Sequence, residues 1–235
     1  SYANLMEGML LIIMLSFILM IMVIPDVDII NVHPASLILV IIYLLGLRLV
    51  SKSKNFPMWK PLKTPETIED VPVYTETEKI NLKSLSIRFL ILAVLVAISG
   101  YMVANSGITI AQETGLSENL VGALFTAVST SLPELVVTVS AVRYGALTLA
   151  VSNIIGGNSF DVLFVAFSDF AYFKGSIYHA LTVSQSYIIA LTLLITSVLM
   201  LGLLDREKSG IGGIGWESFL IILLFLGGYI LMYIS

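Results

Sequence analysis

An all-helical integral membrane fold is predicted for this 235-residue chain by its composition and its apolar stretches. Apolar residues make up 57% and charged residues only 12% of the sequence, against about 45–50% and 25% in soluble domains. The mean hydropathy is +0.98. A membrane barrel would instead alternate apolar and polar residues over segments of about ten positions, and no such pattern runs for any length here. The bilayer is therefore the expected solvent.

Several stretches approach the roughly 20 apolar residues that a helix needs to cross the hydrocarbon core. In chain order, these seven predicted spans are residues 5–24, 35–50, 85–105, 119–142, 147–172, 184–203 and 216–234. The second is the shortest. Cysteine is absent, so neither disulfides nor thiolate metal sites enter the prediction.

The basic residues predict the orientation of these spans. Of the 12 Lys and Arg residues, eleven fall on one side of the membrane when the connections are taken alternately, and only Lys174 falls on the other. Because Lys and Arg are concentrated in cytoplasmic loops, we expect the N-terminus in the cytoplasm and the C-terminus outside. The cell membrane is the expected location.

Residues 51–84 are predicted to form an irregular cytoplasmic linker. They hold four of the seven prolines and mixed charges without apolar periodicity, which is typical of linkers. The chain begins with Ser1 rather than Met, directly ahead of a predicted span. We therefore expect it to be the C-terminal part of a longer protein.

The fourth span contains a cluster of polar residues, TAVSTSLPELVVTVSAVRYG. Pro133 is the only proline inside a predicted span, and its missing N–H deprives the carbonyl of Ser129 of a helical partner. In lipid this carbonyl must find another partner or line a cavity. Glu134 shares a helix face with Thr130, and Ser131 adds a further hydroxyl. Lys and Arg lie only at or beyond the ends of the predicted spans, so a cation from solution is the expected counter-charge.

The fifth span carries a second polar cluster, LAVSNIIGGNSFDVLFV. Asn153, Gly157 and Asp161 share a helix face at four-residue steps, and Asn158 lies nearby. Gly156 weakens the helix and permits close approach of another backbone. A short YGALT turn predicts an antiparallel hairpin with the preceding span, which would bring both clusters to the same depth.

Oxygen donors dominate both clusters, which predicts a site for a hard cation. Carboxylates, amide carbonyls, hydroxyls and a freed backbone carbonyl suit Ca²⁺ or Na⁺, whereas transition metals favour His or Cys. Both histidines, His33 and His179, are predicted in turns outside the membrane. Since Mg²⁺ retains its waters, Ca²⁺ is the better candidate for a largely dehydrated site.

These residues resemble the two motifs of the cation/Ca²⁺ exchanger superfamily. The run TSLPE, from Thr130 to Glu134, is similar to the family's G-T-S-x-P-E motif. The run SNIIGGNSFD, from Ser152 to Asp161, is similar to its G-N-x-x-G-S-N-x-F-[ND] motif. Both motifs on adjacent spans make the resemblance specific, and it covers residues 85–235.

The resemblance implies a ten-helix antiporter fold made of two inverted five-helix repeats joined by a cytoplasmic loop. Residues 85–235 would then be the second repeat and residues 1–50 the last two helices of the first. The motif pair of the first repeat is not in this chain. Its remaining helices are therefore an expected partner, in the same or a separate chain.

The resemblance also implies the cation ligands. They are Thr130, Ser131, Glu134, Asn158 and Asp161. Ser129 and Asn153 join the candidate set from their positions in the two clusters. Ser129 and Ser152 replace glycines that usually open the motifs, and Gly157 replaces a serine ligand. This last departure removes a hydroxyl and leaves the number and identity of the Na⁺ sites open.

The expected function is secondary antiport of Ca²⁺ against Na⁺ by alternating access, not enzymatic catalysis. Ca²⁺ and Na⁺ are the transported ions and would compete for the same oxygens; no resident cofactor and no nucleic-acid partner are expected. The two carboxylates balance one Ca²⁺ or two Na⁺. The family's third carboxylate, from the other repeat, would balance a third Na⁺.

Three alternative functions remain open. In H⁺/Ca²⁺ exchange the carboxylates would take up protons, although the Asn and Asp of the second motif resemble the Na⁺-coupled branches more. A non-transporting, cation-binding membrane subunit is compatible with the missing repeat. An intramembrane aspartyl protease would need two aspartates in its own motif context, which Glu134 does not supply.

Structural roles for the same residues are also open. Ser and Thr in membrane helices often bond back to a carbonyl one turn earlier, and paired glycines often only pack helices. The two carboxylates could share a proton. Asp169, on the outer side, is expected at a solvated face.

Overall fold

The computed structural model describes residues 2–25, 32–55, 82–205 and 214–234. Within these ranges the regular structure is helical and contains no strand, which confirms the predicted all-α class. Residues 51–55 and 82–84 of the predicted irregular linker are helical, as the end of α2 and the start of α3; residues 56–81 lie outside the described ranges.

The helices follow one another in the order of the predicted spans. They are α1 (Tyr2–Ile21), α2 (Pro34–Asn55), α3 (Leu82–Thr114), α4 (Glu118–Val121), a π-helical segment (Gly122–Thr126), α5 (Ala127–Thr130), α6 (Leu132–Arg143), α7 (Leu147–Asp161), α8 (Leu163–Ala171), α9 (Ile177–Ala180), α10 (Val183–Asp205) and α11 (Trp216–Ile234). In the described part of the chain, six helical segments are long and apolar enough to cross a membrane: α1, α2, α3, α7 with α8, α10 and α11. These are the features of a multi-pass integral membrane protein.

The predicted span 119–142 is not one continuous helix, so the count of seven continuous spans is corrected. Shorter helices and the π-helical segment occupy it, and Ser131 lies outside regular helix between α5 and α6. Pro133 accounts for the restart, because a proline cannot donate to the preceding turn but is accommodated in the first turn of a new helix.

α3 is longer than the predicted span 85–105. In its polar C-terminal part, the hydroxyl of Thr109 donates to the carbonyl oxygen of Asn105 over 3.1 Å, and that of Thr114 to the carbonyl oxygen of Ile110 over 2.6 Å. Polar side chains that bond to their own helix thus allow α3 to continue beyond its apolar stretch.

The chain divides into two compact units. The first consists of residues 1–68 and 148–235, and the second of residues 69–147. Among the described elements, the first unit holds α1, α2 and α7 to α11, and the second holds α3 to α6.

α1 is the central helix of the first unit. On one side Met14 and Ile18 are buried in a cluster with Leu39 of α2 and Leu163 of α8. On another side, α1 contributes to a second cluster that reaches α7 and α10. α1 therefore packs between α2 and the later helices α7, α8 and α10.

Two glycines allow the helices of this unit to approach closely. A Cβ atom at Gly8 of α1 would overlap the Met200 side chain of α10, and a Cβ at Gly46 of α2 would overlap Leu10 of α1. Because lipid provides little hydrophobic drive between helices, small residues that permit close packing matter more in a membrane than in water.

Asp169 is fully buried at the end of α8 and connects three segments. Its Oδ2 accepts hydrogen bonds from the His33 N–H over 2.8 Å and from Ser36 Oγ over 2.7 Å, at the start of α2. Its Oδ1 accepts from the N–H of Ile177, the first residue of α9, over 3.0 Å. The predicted solvated face for Asp169 is wrong, because its carboxylate satisfies backbone donors at two helix starts.

Tyr178 of α9 completes this network. Its hydroxyl lies 3.0 Å from Ser36 Oγ. Burial raises the pKa of Tyr178 to about 12, the Ser36 hydrogen bond acts in the opposite direction, and the charge of Asp169 raises the pKa further. The neutral phenol is therefore favoured in the folded state. The raised pKa of Tyr178 therefore contributes to the stability of the folded state below pH 10.0, and this contribution is lost as the pH rises towards about 12.

Replacing Asp169 with Asn should lower the melting temperature of the protein in detergent by several degrees. The amide would place an NH₂ group against a donor, and hydrogen bonds to charged groups contribute about 1.5–3 kcal/mol each. The loss of monodisperse protein on heating is the measurement. Glu113→Gln, which neutralises an exposed carboxylate at the end of α3, is the matched control. Equal melting temperatures for both variants would contradict a stabilising role for the network.

Candidate cation site

The first polar cluster lies at the break between α5 and α6, in the second unit. Thr130 is the last residue of α5, Ser131 lies between the helices, and Glu134 is in the first turn of α6. The backbone remains bonded through the break: Ser131 N–H donates to the Ala127 carbonyl and Leu135 N–H to the Ser131 carbonyl, each over 3.0 Å. The helical turn that Pro133 was predicted to weaken is therefore interrupted: α5 ends there and a new helix, α6, begins.

Helix polarity at this break suits a carboxylate. The N-terminus of a helix carries partial positive charge, which favours an anionic side chain in the first turn. Glu134 occupies that position in the twelve-residue helix α6. The carbonyl of Ser129 would pair in a helix with position 133, where proline has no N–H to donate.

A π-helical segment immediately before α5 was not predicted. It packs on α3, where a Cβ added to Gly107 would lie 2.9 Å from Thr126 Oγ1. The sequence signal was weak, because Gly107 and Gly122 are single glycines without a pattern that predicts a π-helical turn. Such wider turns are frequent at functional sites.

The hydroxyls of the first cluster bond to their own helix. Ser129 Oγ donates to the Phe125 carbonyl over 2.8 Å, and Thr130 Oγ1 lies 3.0 Å from the Thr126 carbonyl and 3.1 Å from the Ala127 carbonyl. A hydroxyl that donates its hydrogen inward keeps its lone pairs for another partner. These two oxygens can therefore still bind a cation.

The same back-bonding occurs outside the motifs. Ser140 Oγ donates to the Val136 carbonyl over 2.7 Å, and Ser197 Oγ to the Leu193 carbonyl over 2.8 Å. Back-bonding to the helix is thus a structural role that serines have in this protein both inside and outside the motifs. It is compatible with cation binding but is not evidence for it.

The second cluster lies on α7, in the first unit. Asn153, Gly157 and Asp161 follow one another at four-residue steps and fall within about 80° around the helix axis. Asn158 Nδ2 donates to the Ile154 carbonyl over 2.7 Å, which leaves its amide oxygen for a cation. Asn158 and Asp161 are exposed, and α7 ends at Asp161.

Gly156 and Gly157 are not explained by helix packing in the described residues. A Cβ built on either glycine meets no described atom within 4 Å. A serine at position 157, which the family resemblance leads us to expect, would therefore have room. The absence of this hydroxyl is a property of the sequence and not a steric requirement of the described fold.

The candidate ligands thus lie in two sets. Ser129, Thr130, Ser131 and Glu134 belong to the second unit, and Asn153, Asn158 and Asp161 to the first. Within the described ranges, no group of three or more His, Cys, Asp or Glu side chains is arranged to hold a metal ion. That the two sets meet at one depth stays a prediction.

Glu7 is a buried carboxylate that the sequence analysis missed. Both of its oxygens accept from Ser152 Oγ of the second motif, over 2.8 and 2.7 Å, and Lys54 Nζ lies 3.2 Å from Oε1. The available signal was a single acidic residue within the apolar stretch 5–24.

Comparisons with known proteins agree with the motif resemblance. The sequence model of a family described as sodium/calcium exchanger protein matches residues 83–234, well over half of the chain. The chain is 41% identical over 73 residues to the sodium/calcium exchanger MaX1 of Methanosarcina acetivorans, covering 31% of this chain and 21% of that protein. No solved structure gives a significant match.

Two further curated relatives match the chain. It is 35% identical over 72 residues to the inner membrane protein YrbG of Escherichia coli, covering 31% of this chain and 22% of that protein. It is 31% identical over 107 residues to sodium/potassium/calcium exchanger 1 of Mus musculus, covering 46% of this chain and 8% of that protein. The alignments therefore span only about a fifth of these relatives' length or less.

Proposed function

Because the chain belongs to the sodium/calcium exchanger protein family, we propose that it forms part of a secondary antiporter that exchanges Ca²⁺ for Na⁺. The observation that carries this proposal is the interrupted helix at Ser131, which lies between the hydroxyl of Thr130 and the carboxylate of Glu134. Discontinuous membrane helices with polar groups at the break are typical of the binding sites of secondary transporters.

The proposed ligands are the oxygens of both motifs. They come from Ser129, Thr130, Ser131 and Glu134 in one set and from Asn153, Asn158 and Asp161 in the other. The inward hydrogen bonds of Ser129, Thr130 and Asn158 are compatible with this assignment, since they use the donors and leave oxygens for a cation. Hydroxyl, amide and carboxylate oxygens are the ligands that Ca²⁺ and Na⁺ prefer.

Competition between the two ions at one site would provide the coupling. The charges of Glu134 and Asp161 balance one Ca²⁺ or two Na⁺, so either load is close to neutral in a region where an uncompensated charge is costly. A near-neutral loaded site can be exposed to one side of the membrane and then to the other. Residues outside this chain would complete the ligand set.

The sequence prediction of orientation and repeats is retained in this proposal. The N-terminus and the linker 51–84 would lie in the cytoplasm of a cell membrane protein and the C-terminus outside, as the Lys and Arg distribution favours. Residues 1–50 would end a first inverted repeat, and residues 85–235 would form the second. The packing of α1 and α2 on α8 and α10 is compatible with repeats that interlock.

Neutralising either motif carboxylate should abolish transport without unfolding the protein. Glu134→Gln and Asp161→Asn each remove one full charge from the site, so Ca²⁺ uptake by proteoliposomes of the complete exchanger should fall at least about tenfold. Glu113→Gln is the matched control and should transport normally. Uptake at the wild-type rate in either motif variant would refute the site assignment.

Na⁺ should drive Ca²⁺ flux at fixed pH in the presence of a proton ionophore. The proton gradient is then absent, and the Na⁺ gradient is the remaining driving force. Ca²⁺ uptake by Na⁺-loaded proteoliposomes is the measurement, with K⁺-loaded vesicles as the control. Flux that disappears with the ionophore and ignores Na⁺ would favour H⁺/Ca²⁺ exchange instead.

The 235-residue chain reconstituted by itself should show no Na⁺-driven Ca²⁺ flux, and the helices of the missing first repeat should restore it. The pathway in such folds lies between two inverted repeats, and the bias in Lys and Arg opposes insertion of two copies in opposite orientations. Robust flux from the purified chain would contradict the two-repeat proposal and support an antiparallel dimer or a complete one-repeat pathway.

A further inference from the structure

The strongest unexplained feature outside the proposed ligand set is the carboxylate of Glu7. Its side chain is 9% exposed, although it lies on a membrane-spanning helix. Burying a carboxylate is costly unless it is paired and hydrogen-bonded. Ser152 supplies a hydrogen bond that is shared by both oxygens, and Lys54 supplies the counter-charge.

A second polar contact lies one turn away on the same two helices. Asn4 is 1% exposed, and its Nδ2 donates to the carbonyl oxygen of Thr148 over 3.4 Å. Asn4 precedes Glu7 by three residues, and Thr148 precedes Ser152 by four, so each pair lies on one helix face. α1 thus holds the N-terminal half of α7 at two successive levels.

An apolar contact continues this interface along the helix. Ile155, in the middle of the second motif, is 1% exposed and belongs to a buried cluster with Leu11 and Leu15 of α1 and Met200 of α10. The polar contacts are directional and the apolar one is not. The Glu7 and Asn4 hydrogen bonds are therefore the directional contacts of this interface.

The face of α7 that contacts α1 is opposite the motif face. At about 100° per residue, Thr148, Ser152 and Ile155 fall within about 60° of one another. The centre of this face lies about 170° from the centre of the face that carries Asn153, Gly157 and Asp161. A contact on the first face therefore sets the direction of the second without touching a cation.

We propose that Glu7 is a positioning residue for the second motif, and that its bond to Ser152 fixes the rotation at which α7 presents Asn153 and Asp161. This inference rests on the proposed function and extends it. Lys54, whose side chain is 52% exposed, has a supporting role because it neutralises Glu7 from the end of α2.

A change at Glu7 should alter cation affinity more than turnover. A rotation of α7 by a fraction of one residue step would misalign Asp161, while the ligands themselves remain present. Glu7→Leu removes both acceptor oxygens and replaces the carboxylate with an apolar side chain of similar size. Glu7→Gln retains one acceptor oxygen and removes the charge, so its effect should be smaller.

The approach of α7 to α1 can be followed by crosslinking because the chain has no cysteine. Cysteines introduced at Leu11 and Ile155, which share a buried cluster, should be joined readily by oxidation or by a short bifunctional thiol reagent in native membranes. We expect the initial rate of this crosslinking to fall several-fold with Glu7→Leu or Ser152→Ala. Ser152→Thr, which keeps the hydroxyl, and the control Glu113→Gln should leave the rate unchanged.

The transport measurement uses the complete exchanger without introduced cysteines. Glu7→Leu should raise the KM for Ca²⁺ about tenfold and change the maximal rate little. Tenfold corresponds to about 1.4 kcal/mol, which is within the range for one hydrogen bond in the interior of a protein. Glu7→Leu combined with Ser152→Ala should be no worse than the more severe single variant, because both remove the same contact.

The outcomes separate this inference from the function on which it rests. An unchanged crosslinking rate, or a reduced rate with an unchanged KM, would overturn the positioning role even if exchange occurs. If Glu7→Leu lowered the maximal rate and the amount of folded protein by the same factor and left the KM unchanged, the positioning role would also be overturned, since a purely structural contact gives that result. Absence of Ca²⁺ exchange by the unmodified protein would refute the proposed function, while crosslinking would still measure how Glu7 holds α7.

Discussion

Polar groups that lie within the hydrocarbon core must find their partners inside the protein, and much of this structure follows from that constraint. The hydroxyls of Ser129, Thr130 and Ser140 are satisfied locally, by carbonyls of their own helix. The carboxylates of Glu7 and Asp169 are satisfied by other helices. Local bonds permit a helix to continue, whereas bonds between helices specify which helices are neighbours.

The two buried carboxylates hold α2 at both of its ends. Asp169 binds the N–H of His33 and the hydroxyl of Ser36 at the start of the helix, and Glu7 pairs with Lys54 at its end. Apolar packing covers the first half of α2, from Ala35 to Tyr43. Because hydrogen bonds are directional, the polar contacts at the two ends favour one position of α2 along the axis of its neighbours.

The family match begins at residue 83, yet the proposed positioning residue Glu7 lies before it. Ser152 and Ile155 are inside the motif region and contact Glu7, Leu11 and Leu15 of α1. The motif residues on one face of α7 thus carry the proposed chemistry, and those on the other carry the contacts that orient it.

The sequence by itself determined the fold class, the approximate helices and the weakened turn near Pro133, because these depend on composition and on residues a few positions apart. The role of Asp169 and the importance of Glu7 were decided by tertiary structure. Asp169 binds a backbone group 136 positions away, and Glu7 binds a hydroxyl 145 positions away. Pairings at such separations leave no local pattern, so a buried carboxylate can be recognised as an anomaly in the sequence while its partner emerges only when the helices pack.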